Sequence, residues 1–203
     1  MPHPTIMTIT GACAPVSLDA ASTALLVIDF QNEYFSGRMP IPDGRQALEQ
    51  ARRLVALADR HLMPVYHVQH VTPPGTPIFA ADSPAAAFHP ELQPAPHHRI
   101  VQKSNVSVFQ GTDIDAQLKS AGVKTLIIAG LMTHACVAGA ARDAAPAGFE
   151  VIVAADASAT RDIDLPGGGT VGHAELHRAS LATIADTFGA VMRTDAILDL
   201  PVR

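Results

Sequence analysis

The residues of this chain best suited to chemistry are a cysteine, an aspartate and a lysine. Cys136 follows the apolar run 125–129, which predicts a buried strand that Gly130 ends. Thr133 is then a suitable cap for a helix at about 134–147. A thiol in a first helical turn lies among N–H groups without helical partners, where the helix dipole favours negative charge. The position predicts a nucleophile of lowered pKa; the alternative is a small buried packing residue.

Asp29 and Lys103 follow the same rule of position. Asp29 ends the apolar run 24–28, and Lys103 ends a short predicted strand at 100–103. Ligands of parallel sheets bind at the carboxyl ends of the strands, so the three side chains are expected in one crevice. A buried unpaired carboxylate is costly, which makes Lys103 the expected partner of Asp29. Asp29 would take the thiol proton and return it to a leaving amine, while backbone N–H groups before Cys136 stabilise an oxyanion.

The elements that position these residues alternate between strands and helices. Strands are predicted at 24–28, 64–69, 100–103, 125–129, 149–153 and 190–192, and helices at 43–61, 113–121, 134–147 and 170–188. The alternation predicts an α/β fold, a single-domain three-layer α/β/α arrangement with a mainly parallel sheet of about six strands. Residues 1–19 are predicted to be an N-terminal tail and residues 20–203 one domain. The proline-rich segment 72–99 is predicted to be a surface loop that covers its own crevice or a neighbouring subunit's.

Composition excludes several classes of function. A net charge of -5 without a Lys/Arg cluster argues against a nucleic-acid partner, and no apolar run is long enough for a membrane span. Two cysteines in unlike settings, Cys13 and Cys136, predict no disulfide framework and a cytoplasmic location. The first 15 residues lack the pattern of a signal peptide, which agrees with that location. The glycines at 167–169 are not part of a phosphate-binding motif, so no nucleotide cofactor is expected.

Three segments together resemble the isochorismatase-like cysteine hydrolases. They are residues 27–35, 102–109 and 129–137, and the resemblance extends over about residues 20–197. This superfamily includes nicotinamidases and N-carbamoyl amide hydrolases. The resemblance implies an isochorismatase-like, Rossmann-like domain that acts on a small-molecule substrate without a cofactor.

The resemblance also implies roles for individual residues. Asp29, Lys103 and Cys136 match the catalytic aspartate, lysine and nucleophile of the superfamily. A cis peptide bond is implied between Leu131 and Met132. The N–H groups of Met132 and Cys136 would then form the oxyanion hole.

Five further residues are expected to line the substrate pocket. They are Gln31, Tyr34, Phe35, Phe79 and His134. The first three follow Asp29 in the chain, and Phe79 belongs to the long loop. The two phenylalanines form either an apolar wall of the pocket or part of the core, and His134 either orients a substrate or caps the helix start.

The histidines do not predict a metal site. Nicotinamidases carry an Asp and His metal site after the second strand, but the leading Asp is missing here. His67 and His70 are three residues apart, which points them to opposite faces of a strand. The adjacent His97 and His98 also diverge in an extended chain.

The predicted function is cofactor-independent cysteine hydrolysis of a C–N bond, of amide or carbamoyl type, through an Asp-Lys-Cys triad and a thioester acyl-enzyme. Cys136 favours this chemistry, because the isochorismatases proper, which hydrolyse a vinyl ether, often lack the cysteine. One alternative is vinyl ether hydrolysis of an anionic isochorismate-like acid, for which Arg99 and Arg161 are the evident anion-binding candidates. The other is a catalytically degenerate binding subunit. A homodimer or homotetramer is expected, as the family commonly assembles that way.

Overall fold

The computed structural model describes residues 2–203, and the sheet that organises them is parallel. The strands are β1 (Thr23–Ile28), β2 (Val65–His70), β3 (Arg99–Lys103), β4 (Thr125–Leu131), β5 (Glu150–Ala159), β6 (Ile163–Asp164), β7 (Thr170–Val171) and β8 (Ala190–Met192). Six of them form one sheet in the order β3-β2-β1-β4-β5-β8, and every neighbouring pair in it is parallel. The predicted α/β fold with a six-stranded parallel sheet is therefore confirmed.

Helices cover both faces of this sheet. They are α1 (Ile6–Ile9), α2 (Gly44–Arg60), α3 (Ile114–Ser120), α4 (Ala138–Ala144), α5 (His173–Thr187) and α6 (Thr194–Leu198). Apolar residues of α2 recur every three to four positions and pack on one face together with α6. The other face is covered by α3, α4 and α5. The central strands are apolar throughout because both of their faces are buried.

Strand β4 continues through Gly130, so the prediction that this glycine ends the strand is wrong. Gly130 pairs with Ile28 of β1 and with Ser158 of β5. A Cβ added at position 130 would lie 2.6 Å from the Cβ of Ile28 and 2.7 Å from its carbonyl oxygen. The glycine therefore permits a close approach of two strands instead of breaking one.

The long helix predicted at 170–188 begins later, at His173. The glycines at 167–169 form the turn of a small antiparallel hairpin between β6 and β7, closed by Leu165 N–H donating to Gly169 O at 2.9 Å. Gly168 and Gly169 have φ angles of 93° and 85°, which favour glycine. The final helix α6 was not predicted, because its anchor is a distant carboxylate. Asp156 Oδ1 accepts from both the N–H and the hydroxyl of Thr194, at 2.7 Å and 2.8 Å.

The N-terminal segment predicted as a tail contains the short helix α1. Thr5 caps it, and Ile6 N–H donates to Asp186 Oδ1 of α5 at 2.9 Å. Leu18 forms a bridge with Val202 near the other terminus. In residues 2–203 no helix is both long and apolar enough to cross a membrane.

Candidate active site

Asp29 directly follows β1, at the carboxyl end of this central strand. Asp29 has a φ of 55°, in the left-handed region that non-glycine residues seldom adopt. Its N–H still donates to Val68 O at 2.9 Å, while Gln31 N–H donates back to Asp29 O at 2.8 Å. The residue is 0% exposed. A strained, fully buried carboxylate at a strand end is typical of a functional site.

Lys103 ends β3 and places its ammonium at the centre of a cluster. Lys103 Nζ lies 2.7 Å from Asp29 Oδ2 and 3.3 Å from Cys136 Sγ. It also lies 3.0 Å from His70 Nδ1 and 3.2 Å from Asn105 O. An ammonium has three protons to donate, so these four acceptors satisfy it completely. Its charge is held in place without solvent.

The turn after β4 brings Cys136 to this ammonium. A π-helical turn, Thr133–Val137, precedes α4, and Cys136 is 5% exposed within it. The three side chains expected in one crevice thus do meet there, although they are separated by more than 100 residues of sequence at the extremes. Their catalytic roles remain a prediction that this geometry supports.

Burial governs the protonation of the cluster. Burial raises the pKa of the Asp29 carboxyl, and the Lys103 ammonium opposes that rise. Burial also acts against the ammonium, but Asp29 and Cys136 raise the pKa of Lys103 overall. Burial, and then the charge of Asp29, raises the pKa of the Cys136 thiol to about 12. At neutral pH the resting thiol is therefore protonated and the lysine is charged.

The predicted lowering of the thiol pKa is wrong. Cys136 is the fourth residue of the π-helical turn, and its sulfur is enclosed by apolar side chains as well as by Asp29. Removal from water and the adjacent carboxylate outweigh both the helix N-terminus and Lys103. Thr133 is not the predicted cap either, because its hydroxyl bonds to His177 Nδ1 of α5 at 2.8 Å. The thiol consequently needs a base, and Asp29 is beside it.

The turn after β4 contains the two N–H groups that are predicted to form an oxyanion hole, those of Met132 and Cys136. The peptide bond between Leu131 and Met132 is cis, at the position that the resemblance implies. Met132 O accepts from both Ala135 N–H and Val137 N–H. In residues 2–203 neither Met132 N–H nor Cys136 N–H donates to another element. Both N–H groups therefore lack a backbone acceptor in this part of the chain, as the resemblance to the hydrolase family requires of an oxyanion hole.

Tyr34 and Phe79 form an aromatic wall beside the cluster. Burial, and then the nearby Cys136 and Asp29, raise the pKa of Tyr34. The Tyr34 and Phe79 rings meet edge to face, with centroids 5.2 Å apart. Phe79 has a φ of 54°, and Glu33 Oε2 accepts from its N–H at 3.4 Å. The segment 72–99 thus packs Phe79 against Tyr34 and Glu33 of its own chain. Covering its own crevice is one of the two arrangements predicted for this loop.

Gln31 and Phe35, expected in the pocket, have other positions. Gln31 Nε2 donates to His70 O at 2.8 Å and to Ala86 O at 2.7 Å, so its amide braces the loop to β2. Phe35 packs against His89 with the ring planes tilted by 50° and the centroids 4.3 Å apart, in a separate surface depression. Within residues 2–203 neither side chain is hydrogen-bonded to the side chain of Asp29, Lys103 or Cys136. After the left-handed residue Asp29 the chain enters a 3₁₀ turn at Asn32–Tyr34, so the alternation of a strand no longer sets the direction of these side chains.

His134 lies at the crevice rim. Its Nδ1 is hydrogen-bonded to Thr160 Oγ1, at the end of β5. Burial, and then the charge of Arg161, lower the pKa of His134. The imidazole therefore remains neutral at the rim, in agreement with a substrate-orienting position.

His70 is the residue beside Lys103 that the sequence interpretation did not place at the site. It was considered only as a metal ligand, yet its ring contacts Lys103 instead. The signal that identified Asp29 and Lys103, a position at the carboxyl end of a parallel strand, also applies to His70 at the end of β2. His67 lies on the opposite face of β2, where it contacts His98. The prediction that His67 and His70 point to opposite faces is therefore confirmed.

A group of metal-ligand type does exist, far from Cys136. Ligand atoms of Asp59, His97 and His98 lie within 4.8 Å of one another, so the expectation that His97 and His98 diverge is wrong. The Ala95 N–H donates to His98 Nδ1 at 3.0 Å, which places the His98 proton on Nε2. That proton is donated to Asp59 Oδ1 at 2.8 Å. The donor set fits a hydrogen-bonded cluster better than a metal site, because the Nε2 atom of His98 carries a proton and has no free lone pair for a metal.

Large surface depressions lie away from the catalytic cluster. One of about 510 Å³ contains Cys13 and lies near the amino ends of β5 and β8, opposite the carboxyl ends that carry the cluster. The cluster is almost enclosed, because Cys136 is only 5% exposed and the side chains of Asp29 and Lys103 are 0% exposed.

Comparison with known proteins identifies relatives that share this arrangement of elements. The family model for the isochorismatase domain matches residues 23–196. A secreted isochorismatase effector of Verticillium dahliae is 33% identical over 183 residues, which cover 90% of this chain and 94% of the effector. Maleamate amidohydrolase of Pseudomonas putida is 30% identical, over 87% of this chain and 86% of that enzyme. The crystal structure of an isochorismatase from Pseudomonas putida KT2440 superimposes with a TM-score of 0.89 at 30% identity, covering 97% of this chain and 100% of that one.

Proposed function

The chain belongs to the isochorismatase family of hydrolases, and on that premise we propose that it cleaves a C–N bond of a small amide or carbamoyl compound through Cys136. The observation that carries the proposal is the contact of one ammonium with both a carboxylate and a thiol. Lys103 Nζ lies 2.7 Å from Asp29 Oδ2 and 3.3 Å from Cys136 Sγ. Such a cluster supplies a base, a nucleophile and a fixed positive charge without a cofactor.

The first half of the reaction forms a thioester. Asp29 accepts the thiol proton as Cys136 Sγ attacks the carbonyl carbon, and the raised pKa of the carboxyl makes Asp29 a stronger base. The oxyanion forms next to the N–H groups of Met132 and Cys136. Asp29 then returns the proton to the nitrogen, the C–N bond breaks, and ammonia or an amine leaves.

The second half releases the acid. Asp29 takes a proton from a water molecule, whose oxygen attacks the thioester carbon, and the C–S bond breaks. The proton returns to the Cys136 sulfur. Lys103 stabilises the negative charge on Asp29 and on sulfur throughout. The two halves together consume one water for each amide hydrolysed.

An amidohydrolase among the relatives supports this chemistry over ether cleavage. Maleamate amidohydrolase is named for hydrolysis of an amide. The vinyl ether alternative requires cations that bind an anionic acid. Arg99 is the first residue of β3, at the end of the strand opposite to Lys103, and it donates to the Tyr66 hydroxyl at 2.8 Å. Arg161 remains as a candidate, with Nη1 donating to Asp162 O at 3.0 Å.

The isochorismatase name of the fungal effector keeps vinyl ether hydrolysis as the second candidate. A degenerate binding subunit is the third, and the intact cluster of Asp29, Lys103 and Cys136 argues against it. The cytoplasmic location and the homodimeric or homotetrameric assembly stay predictions, since no observation on residues 2–203 tests them.

A substrate panel tests the proposal. Purified enzyme is incubated with nicotinamide, maleamate, N-carbamoyl amino acids and isochorismate, and ammonia, amine and pyruvate are measured. We expect ammonia or amine from at least one amide, with the rate lost in Cys136→Ala and kept in the matched control Cys13→Ser. Equal turnover by Cys136→Ala refutes the mechanism, and pyruvate from isochorismate alone supports the second candidate.

A further inference from the structure

His70 is held rigidly beside the catalytic ammonium. His70 and Lys103 are register partners on β2 and β3. The Gln31 amide fixes the backbone of His70 from both sides, because Oε1 accepts its N–H at 2.8 Å and Nε2 donates to its carbonyl at 2.8 Å. The buried Gln31 amide therefore fixes the backbone that carries the His70 ring.

The contact with Lys103 determines which ring nitrogen of His70 carries the proton. Lys103 Nζ lies 3.0 Å from His70 Nδ1. An ammonium only donates, so Nδ1 must accept, and the proton of the neutral ring lies on Nε2. Burial and the charge of Lys103 lower the pKa of His70 to about 4, which keeps the ring neutral at physiological pH. The ring is thus a hydrogen-bond donor and not a proton carrier.

The Nε2–H group has an open side. Within residues 2–203 no protein group accepts from His70 Nε2, and this nitrogen is not among the fully enclosed side-chain atoms that lack a partner. The ring packs against Phe79, with centroids 4.9 Å apart, and Phe79 packs against Tyr34. The free donor therefore belongs to a ring that contacts both the aromatic wall, through Phe79, and Lys103.

We propose that His70 binds the substrate, with Nε2–H donating to an acceptor oxygen other than the one that becomes the oxyanion. This inference rests on the proposed function and narrows the substrate class to small amides with a second carbonyl or carboxylate oxygen near the scissile bond. Lys103 fixes the tautomer of His70. Lys103 therefore acts in the chemistry and also, through His70, in the orientation of the substrate.

The tautomer is tested first, without any substrate. Correlation of ring ¹⁵N and ¹H signals in the resting enzyme should show His70 as the Nε2–H tautomer, neutral down to about pH 4. A His70 proton on Nδ1, or a charged ring at neutral pH, overturns the inference.

The binding role is tested next with the inactive Cys136→Ala enzyme and each compound of the panel, including isochorismate. At least one compound should shift the His70 Nε2–H signal. A panel that leaves this signal unmoved overturns the inference, whether or not the unaltered enzyme turns over an amide. Conversely, turnover of isochorismate alone together with a shift by isochorismate refutes the proposed C–N chemistry and retains the role of His70.

Two substitutions separate the nitrogens for whichever compound is turned over. His70→Asn keeps an acceptor near the Nδ1 position but loses the outer donor, and His70→Gln restores an N–H near the Nε2 position. We expect KM to rise about tenfold in His70→Asn with kcat less affected, and to recover in His70→Gln, as one hydrogen bond to substrate is lost and regained. Equal KM values in both variants and the unaltered enzyme would contradict the proposal. His97→Asn, an exposed histidine, is the matched control.

Discussion

Replacement of Lys103 by methionine should make the stability of the protein depend on pH in a specific direction. The Lys103 and Asp29 side chains are both 0% exposed, and they form an ion pair at 2.7 Å. Methionine is close to lysine in length but carries no charge, so Lys103→Met leaves the carboxylate buried and unpaired. The carboxylate then either remains charged at high cost or binds a proton.

The pH sets an upper limit on this cost. Protonating a carboxyl with the ordinary pKa of 3.8 costs about 1.4 kcal/mol per pH unit above that value. The limit is about 5.7 kcal/mol at pH 8 and about 1.6 kcal/mol at pH 5. Because the folded-state pKa of Asp29 is raised, stability is retained at low pH and lost as the pH rises toward that pKa. We expect Lys103→Met to lose about 3–5 kcal/mol at pH 8 and about 1.6 kcal/mol or less at pH 5.

Urea unfolding at pH 5 and pH 8 measures this difference. The unaltered enzyme corrects for every other titrating group, and the double variant Asp29→Asn with Lys103→Met removes the buried charge. We expect the double variant to lose its pH dependence relative to the unaltered enzyme and to be more stable than Lys103→Met at pH 8. An equal loss for Lys103→Met at both pH values would refute the reasoning.

Three further predictions concern residues outside the triad, each tested by urea unfolding. Gly130→Ala should lose about 1–3 kcal/mol, because its Cβ would lie 2.7 Å from Ile28 O; an unchanged midpoint contradicts the close approach of β1 and β4. Gln31→Ala should lose about 2–4 kcal/mol by leaving the His70 N–H and two carbonyls unpaired, whereas the loss expected for a surface glutamine is below about 0.5 kcal/mol. Burial, and then His98, lower the pKa of His67 to about 4. The neutral ring therefore contributes its full stability above pH 6.5, and the free energy of unfolding falls by about 3 kcal/mol between pH 6.5 and pH 4. His67→Phe should lack this fall, and the same fall in His67→Phe as in the unaltered enzyme would contradict the prediction.

The parts of the site that were predictable from sequence depend on short-range patterns. An apolar run buried on both faces identifies β1 and β4, and the residue at the end of such a strand lies at the crevice. Asp29 and Lys103 follow from that rule, as His70 would have. The fold class follows in the same way from the alternation of strands and helices.

The parts that were not predictable depend on contacts between distant segments. The raised pKa of Cys136 results from its packing among two layers of the fold, which no local pattern encodes. The role of Gly130 depends on the distance between two strands, and that of Gln31 on a loop 55 residues away. His98 and Asp59 meet across 39 residues of sequence, so their hydrogen bond could not be inferred from an extended chain.

The most direct test of a nucleophilic Cys136 is the covalent intermediate. Enzyme is mixed with the amide that the panel identifies, quenched in acid within milliseconds to seconds, and analysed as intact protein and as peptides by mass spectrometry. We predict an added acyl mass on the peptide that contains Cys136, absent from Cys136→Ala and unchanged in Cys13→Ser. Turnover of the amide with no acyl mass on Cys136 at any quench time, or with the adduct on Cys13, would contradict the account.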